Sequence, residues 1–470
     1  MSVFCSDAGA AQPGNQLRRR GFVLLTAAGM VLLVLLPAIG LAVDVGMMYL
    51  VQLRLSAASD AAALAGARAL ARGADDTAQH ANAEATASTY FHANFPTGYF
   101  ATTNLQVTNV AATDSTYMRS VTTNSSVELP FIFMRALRLS RTTLRATAKS
   151  TRRDVNIMIV MDRSTSLTNS GSCAPLKAAA VNFVEKFAER RDNLGLITFG
   201  TSSQVDVHLT MSFKTPVESK LNSLVCDGAT NSSQALWQSY QELAGLAQTG
   251  ALNVILFFTD GRPTAVTENF PIKNNSSCTP HGSAGPKLGV LTPGYSSGVP
   301  TETWGLFQNT PPTPLGSDLT LIASRSGCSF ASNKNQVASD VSYAPLTDYW
   351  GNSLNATAYR SVTTSGAGLS TSAQNVENFS TNAADHAALR IRRGDPDAQH
   401  ANRTLSGVMI YSIGLGAVDD TLLKRMANDP SLTPNPVAAG NTGRYVYAAN
   451  ATDLDLAFTR VASELLRLAR

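Results

Sequence analysis

The sequence contains few of the residues that build zinc sites or common hydrolase centres. Its 470 residues include five cysteines and six histidines. No cysteine lies in a CxxC pair or in a Cys/His spacing typical of zinc ligands, which argues against a zinc site. No histidine lies in a GxSxG or HExxH motif. We therefore predict that the protein is not an enzyme.

Charged residues are also scarce. They make up 15% of the chain, and the net charge is only +4. The basic residues do not gather into a stripe, so a nucleic-acid partner is not expected. The hydrophobic content of 44% is that of a folded protein, and the length predicts two or three domains.

One long segment near the amino terminus has no charge at all. Residues 21–43 follow the triplet Arg18–Arg20 and contain no charged side chain. A helix of this length can cross a hydrocarbon core of roughly 30 Å. The alternative is a cleaved signal peptide, for which the run is too long. Because basic residues stay on the cytoplasmic side, we predict a cytoplasmic tail at 1–20 and a single transmembrane helix at 21–43. The rest of the chain then faces the periplasm or the exterior.

Two further regions precede the main domain. Residues 44–73 are rich in alanine and leucine without proline, which predicts an extension of the membrane helix. Its small side chains would suit either a plain stalk or a face on which another element packs closely. Residues 74–150 are predicted to form a second helix followed by Thr- and Val-rich strands, that is, an α+β spacer module. This module offers no catalytic constellation.

The stretch DVNIMIVMDRSTS, from Asp154 to Ser166, organises the remainder of the chain. Its apolar run predicts a strand buried on both faces, as in a parallel sheet covered by helices. Asp162, Ser164 and Ser166 follow at the carboxyl edge, where open α/β sheets place their ligands. Their hard oxygen atoms suit Mg²⁺ rather than zinc. The start of a haloacid-dehalogenase phosphatase is superficially similar, but Ser164 stands where the acid/base carboxylate is needed.

Strands then alternate with helices to the end of the chain. This alternation predicts an α/β fold with a doubly wound, mostly parallel sheet over residues 151–470. Residues 263–403, here called the insertion, are rich in Ser, Asn, Gly and Pro and show little periodicity. They are far longer than an ordinary connection. A partly disordered loop and a folded cap over the site are both consistent with them.

Two later residues complete a motif. Thr230 lies in the loop CDGATN, and Asp260 ends the apolar strand in FFTDGRP. With Asp162, Ser164 and Ser166, they resemble the metal-ion-dependent adhesion site (MIDAS) of von Willebrand factor A (VWA) domains: DxSxS, a threonine loop, and an aspartate at a strand end. The resemblance covers about 154–262 and resumes from about 404.

The resemblance implies how such a site would work. Ser164 and Ser166 would bind Mg²⁺, or another divalent cation such as Mn²⁺, directly. Thr230 would be a direct or switchable ligand, while Asp162 and Asp260 would hold ordered waters. An acidic side chain of a protein partner would complete the coordination shell. The competing interpretation is that Asp162 and the two serines only cap a helix at the strand end.

The cysteines fit this arrangement. Cys173 lies just beyond the serine loop and Cys226 just before the threonine loop, so we predict a disulfide that joins two ligand loops. Cys278 and Cys328 would then pair within the insertion. Cys5 would stay reduced in the cytoplasm.

The amino-terminal segment carries a second resemblance. RRRGFVLLTAAGM, then GLAVDVGMMYLVQLRLSAASDAAALAGARAL, is similar to the start of TadG-like proteins of the bacterial Flp/Tad pilus system. An anchored helix, a β-rich spacer and a carboxyl-terminal VWA domain match that family's layout. The resemblance implies an inner-membrane protein that serves pilus assembly or surface adhesion with Tad pilus or envelope components. The alternative is a minor pilin-like structural component without metal-dependent binding.

Overall fold

The structure is a computed structural model that separates the chain into two compact units. The first comprises residues 1–113 and 119–151, and the second comprises 114–118 and 152–470. We call them the amino-terminal and carboxyl-terminal units. The structure describes residues 28–31, 35–70, 75–115, 117–271, 287–296, 299–307, 324–325, 328–329, 341–355, 359–396, 403–432 and 440–469.

A long apolar helix dominates the amino-terminal unit. Helix α1 spans Leu36–Ala69 without interruption, with a proline in its first turn. The helical segment Pro37–Ala69 is long and apolar enough to cross a membrane. Residues 21–27 and 32–34 of the predicted transmembrane span lie outside the described residues. The predicted extension of the membrane helix is therefore helical as far as Ala69.

The small side chains of α1 form a face against which other elements pack. Helix α2 spans Asp76–Asn94, and a sheet of three strands follows in the order β1-β2-β3. A Cβ atom at Gly66 would lie 2.9 Å from Val121 and 3.0 Å from the backbone oxygen of Ala83. Glycine is thus needed where α1 meets its neighbours. The strands are Thr103–Ser115 (β1), Met118–Pro130 (β2) and Arg141–Arg153 (β3).

A six-stranded sheet forms the centre of the carboxyl-terminal unit. Its order is β16-β15-β7-β4-β5-β6. Neighbouring strands pair in parallel except at the β6 edge, which is antiparallel to β5. The predicted doubly wound, mostly parallel sheet is confirmed. Its strands are Val155–Asp162 (β4), Asn193–Phe199 (β5), Ser203–Thr210 (β6), Leu252–Thr259 (β7), Met409–Leu415 (β15) and Tyr445–Ala448 (β16).

Helices cover both faces of this sheet and enclose two apolar cores. A single turn of helix, α3 (Thr165–Asn169), follows β4. One face is covered by α4 (Cys173–Val184), α5 (Lys214–Ser223) and α9 (Leu454–Leu468). The other face is covered by α6 (Ser232–Leu246), α7 (Ala373–Arg393) and α8 (Asp420–Ala427). Burial on both faces explains why most residues of β4 and β7 are apolar.

The described part of the insertion is folded. Strands β8 (Val266–Phe270), β9 (Lys287–Ser296) and β10 (Val299–Phe307) form an antiparallel sheet. Helix α7 also belongs to the insertion, yet Ala387, Ala388 and Ile391 lie in the core of the main sheet. No helix was predicted for residues 373–393, because Asn, Ser and Thr interrupt the apolar spacing. Two-residue ladders join Ser324–Arg325 (β11) to Cys328–Ser329 (β12) and Thr364–Ser365 (β13) to Gly368–Leu369 (β14).

Asn156 is the one polar residue in the apolar run from Val155 to Met161, and the neighbouring strands explain it. Its Nδ2 donates to the side-chain oxygens of Gln248 and Asn253 at 2.9 and 2.8 Å. Its Oδ1 accepts from Nδ2 of Asn193 at 2.8 Å. A buried amide with its hydrogen bonds made carries little penalty, and this ladder aligns three parallel strands at the edge opposite the site.

Candidate metal centre

Asp162 is the last residue of β4, and its carboxylate is fully buried. Oδ1 accepts a hydrogen bond from the backbone N–H of Ser164 at 2.8 Å. Oδ2 accepts one from the hydroxyl of Thr259 at 2.5 Å. Thr259 ends the adjacent parallel strand β7, so the pairing of two buried strands holds this carboxylate in one orientation.

The two serines converge on the second carboxylate. Their Oγ atoms lie 2.9 Å apart. Ser166 Oγ donates to Oδ1 of Asp260 at 2.7 Å, and Ser164 Oγ donates to the same oxygen at 3.3 Å. Two hydroxyls and a carboxylate from segments 94 residues apart therefore meet at one point. The structure brings four of the five predicted residues together.

Thr230 is held by a different set of hydrogen bonds. Its backbone N–H donates to the hydroxyl of Thr264 at 3.0 Å, and its carbonyl accepts from the N–H groups of Thr264 and Ala265. Within the described residues, its hydroxyl makes no hydrogen bond to the other four. The first residues of the insertion thus hold the threonine loop at this edge of the sheet.

The two carboxylates are close enough to affect each other. Burial, followed by the negative charge of Asp260, raises the pKa of Asp162 to about 7. Burial also raises the pKa of Asp260, although hydrogen bonds from the serines lower it. Both shifts reflect negative charge held away from water. A cation at this point would favour both ionised forms.

Covalent and hydrogen-bonded links tie the serine loop to the threonine loop. The predicted Cys173–Cys226 disulfide is present. Thr168 Oγ1 donates to the carbonyl of Cys226 at 2.6 Å. The N–H of Thr165 donates to the carbonyl of Gly228 at 3.0 Å, and the N–H of Gly228 donates back to the Thr165 hydroxyl. Cys278 lies outside the described residues, so its predicted pairing with Cys328 stays a prediction.

Two further residues shape the site, and sequence reasoning missed the first of them, Thr259. Thr259 orients Asp162, and its position directly before Asp260 was the only signal. Arg163 is buried, with its guanidinium donating to the carbonyl of Asp227 at 3.3 Å. It therefore braces the threonine loop from inside and does not face an approaching ligand.

A cleft of about 670 Å³ opens on the serine and Asp260 side of the site. Its far wall comes from the segments that follow β15 and β16, and small and hydroxyl side chains predominate. Such a cleft can admit a side chain of a partner. Its lining comprises Ser166, Ser170, Ser172, Asp260, Leu415, Gly416, Ala417, Ala449, Asn450, Ala451 and Thr452.

The donor set fits a hard cation. It contains two hydroxyls and two carboxylates, which are oxygen ligands of the kind that Mg²⁺ and Mn²⁺ prefer. Among the residues that the structure describes, there is no cluster of three or more His, Cys, Asp or Glu side chains able to hold a metal. The hydroxyl-rich site described above contains only two carboxylates and needs no such cluster.

Two family models match the sequence. Residues 157–262 match the model described as the von Willebrand factor type A domain. Residues 21–69 match the model described as Flp pilus-assembly TadE/G-like. The first match lies mid-chain, whereas the resemblance alone suggested a domain at the carboxyl terminus. Strands β15 and β16, beyond the matched residues, belong to the same sheet.

Individual relatives are distant. "Uncharacterized protein YfbK" of Escherichia coli (strain K12) is 27% identical over 107 residues, which is 23% of this chain and 18% of that protein. The pilus adhesin SpaC of Lactobacillus rhamnosus GG is 13% identical, with a TM-score of 0.37 over 77% of this chain and 35% of that one. The vWF domain of the type V pili tip protein Mfa5 of Porphyromonas gingivalis is 16% identical, with a TM-score of 0.36 over 68% and 97%.

Proposed function

We propose that this chain, which carries a von Willebrand factor type A domain behind a TadE/G-like segment, is a membrane-anchored binding protein of a Flp/Tad-type pilus or adhesion system. In this proposal, a divalent cation held by the candidate metal centre recognises an acidic side chain of a protein partner. The observation that carries the proposal is the meeting of Ser164, Ser166 and Asp260 within hydrogen-bonding distance, beside the buried Asp162.

Each residue has a distinct part in the proposed site. The two serine hydroxyls supply neutral ligands, so the bound cation keeps enough positive charge to accept a carboxylate from outside. Asp162 and Asp260 supply negative charge, and the hydrogen bonds described above for these two carboxylates come from hydroxyl groups and a backbone N–H. The cleft beside Ser166 leaves one side of the site open to the partner.

Anchoring and pilus association rest on the amino-terminal segment. The TadE/G-like match covers residues 21–69, which include the charge-free run 21–43 and most of α1. The helical segment Pro37–Ala69 is apolar enough to span a bilayer. With the arginine triplet on the cytoplasmic side, the carboxyl-terminal unit would lie in the periplasm or outside the cell, facing envelope or pilus components.

The test is cation binding by the full-length protein in detergent. We expect Mn²⁺ to bind in electron paramagnetic resonance titrations and Mg²⁺ to displace it. Ser164→Ala should weaken binding at least tenfold, because it removes a direct ligand. Asp162→Asn should also weaken Mn²⁺ binding, because it removes a negative charge from the site. In EDTA, Asp162→Asn should be at least as stable as the unmodified protein, because an amide avoids the cost of a buried charge.

Ser170→Ala is the matched control. Ser170 lines the same cleft, but its hydroxyl bonds to Ser172 and to the carbonyl of Leu167. It should bind Mn²⁺ as the unmodified protein does. Partner recognition is then tested by comparing how much of a glutamate-containing peptide and of its glutamine counterpart the Mn²⁺-loaded protein retains. Equal Mn²⁺ affinity in Ser164→Ala and the unmodified protein would refute the metal site.

Thr259 provides a separate prediction. Thr259→Val keeps the shape of the side chain and removes the hydrogen bond to Asp162 Oδ2. Residues that orient a ligand typically change metal affinity by about 10- to 100-fold, so we expect a loss at the lower end of that range. Thr259→Ser, which retains the hydroxyl, should preserve most of the affinity in the same titration. Equal losses in both variants would point to packing instead of orientation.

A further inference from the structure

The loop between β2 and β3, residues 131–139, exposes an unusual set of apolar side chains. Soluble surfaces carry single exposed apolar residues without consequence, whereas a contiguous group marks an interaction site. Four large side chains of this loop are at least half exposed. They are Ile132 (60%), Phe133 (50%), Leu137 (70%) and Leu139 (53%).

This loop is fixed to α1 at a defined height. A Cβ atom at Gly40 would lie 2.6 Å from the ring of Phe133, so the ring lies directly on the glycine backbone. One turn further along, the carboxylate of Asp44 accepts backbone N–H groups of Ile132, Phe133 and Met134 at 3.0, 2.9 and 2.7 Å. The loop therefore lies beside residues 40–44 of the helix.

That height coincides with the end of the proposed membrane span. Asp44 is the first charged residue after Arg20, and its buried carboxylate is taken up by the loop. A helix from residue 21 to residue 43 is about 35 Å long, slightly more than a hydrocarbon core. In the same part of the helix, Ile39, Leu41 and Val43 are apolar and each more than 40% exposed.

Basic side chains accompany the apolar ones. Arg135 and Arg138 lie in the same loop, and both are exposed. A surface that combines apolar residues with arginines suits the boundary between acyl chains and phosphate headgroups, because long basic side chains can reach the phosphates. The apolar loop lies at the height where the apolar helix leaves the bilayer. This position is expected for a surface that contacts lipid, whereas a surface that binds another protein could lie anywhere on the unit.

We propose that the 131–139 loop inserts into the outer boundary of the same bilayer that the amino-terminal helix spans. Its apolar side chains enter the acyl region and its arginines meet the phosphates. This inference rests on the proposed transmembrane helix. The inserted loop would give the amino-terminal unit a second membrane contact and so restrict its rotation and tilt about the helix.

The experiment is depth-dependent fluorescence quenching in vesicles. The full-length protein is reconstituted into phosphatidylcholine and phosphatidylglycerol vesicles, with or without acyl chains brominated near the headgroup. Leu137→Trp reports on the loop, because the replaced side chain is the most exposed of the four. Ile39→Trp reports on the helix. Tyr90→Trp, at an exposed position on α2, is the control. Emission of the native tryptophans is subtracted using the unmodified protein.

We expect brominated lipid to quench the added emission of Leu137→Trp and Ile39→Trp at least twofold and to leave Tyr90→Trp unchanged. Quenching of Ile39→Trp without quenching of Leu137→Trp would overturn the loop proposal and leave the span intact. Blue-shifted but unquenched emission from Leu137→Trp would also overturn it, because the loop would then be covered by protein, such as a second copy of this chain, and not by lipid. Absence of quenching at both positions would overturn the span together with the loop.

Discussion

A protein with Cys173→Ala and Cys226→Ala should unfold with a free energy lower by about 4 kcal/mol. The disulfide closes a loop across 53 residues of sequence. In the chain-entropy account, this cross-link restricts the unfolded chain, and the restriction grows with the length of the loop. Denaturant titration of the full-length protein measures the change. Cys5→Ala is the matched control, since Cys5 lies in the predicted cytoplasmic tail, and it should unfold as the unmodified protein does.

The same variant should bind Mn²⁺ more weakly even where it remains folded. The serine and threonine loops would then be joined only by hydrogen bonds such as those between Thr165 and Gly228. Looser loops must be ordered when the cation binds, and that ordering costs free energy. A stability loss below about 1 kcal/mol would mean that the unfolded chain already keeps these loops close, contrary to the random-chain account.

Arg191→Met should lower the free energy of unfolding by about 3 to 5 kcal/mol. Arg191 is 1% exposed, and its guanidinium donates to both oxygens of the fully buried Asp192 at 3.1 and 2.7 Å. Arg152 and Asp154 complete the cluster, each with a 4.0 Å contact to one member of this pair. Two positive and two negative charges balance, so removal of one arginine leaves an uncompensated buried carboxylate.

This cluster lies before β4 and β5, at the edge of the sheet opposite the metal centre. Its loss should therefore lower stability in denaturant titrations and leave Mn²⁺ affinity unchanged in the folded protein. The control is Arg467→Met on α9, where the side chain is 72% exposed. Such a surface change should cost less than about 0.5 kcal/mol. Equal losses in the two variants would show that the buried pair contributes no more than an exposed one.

Much of the fold could be predicted because its local patterns are unambiguous. Strands buried on both faces are mostly apolar, and β4 and β7 can therefore be recognised in the sequence. Asp162 is the last residue of β4, and Asp260 directly follows β7. Parallel strands of one sheet end at the same edge, so the strand pattern places both carboxylates at that edge. That the two carboxylates meet was implied only by the resemblance to the metal-ion-dependent adhesion site. The Cys173–Cys226 disulfide follows from the same placement of loops.

Other features depended on contacts between distant segments. Helix α7 is rich in residues with low helix propensity, and it is stabilised by burial against the main sheet, which no local pattern reports. The height of the 131–139 loop depends on the contacts of Asp44 and Gly40, some 90 residues earlier in the chain.

By itself, the sequence determined the membrane-length apolar run, the order of strands and helices, and four side chains able to meet at one edge of the sheet. The tertiary structure decided that Thr259 orients Asp162, that Arg163 turns inward, and that the threonine loop is held by the start of the insertion. The physical reason is the range of the interactions. Hydrophobic periodicity and helix or strand propensity depend on a few neighbouring residues. The orientation and burial of a side chain depend on partners that are brought together only when the chain folds.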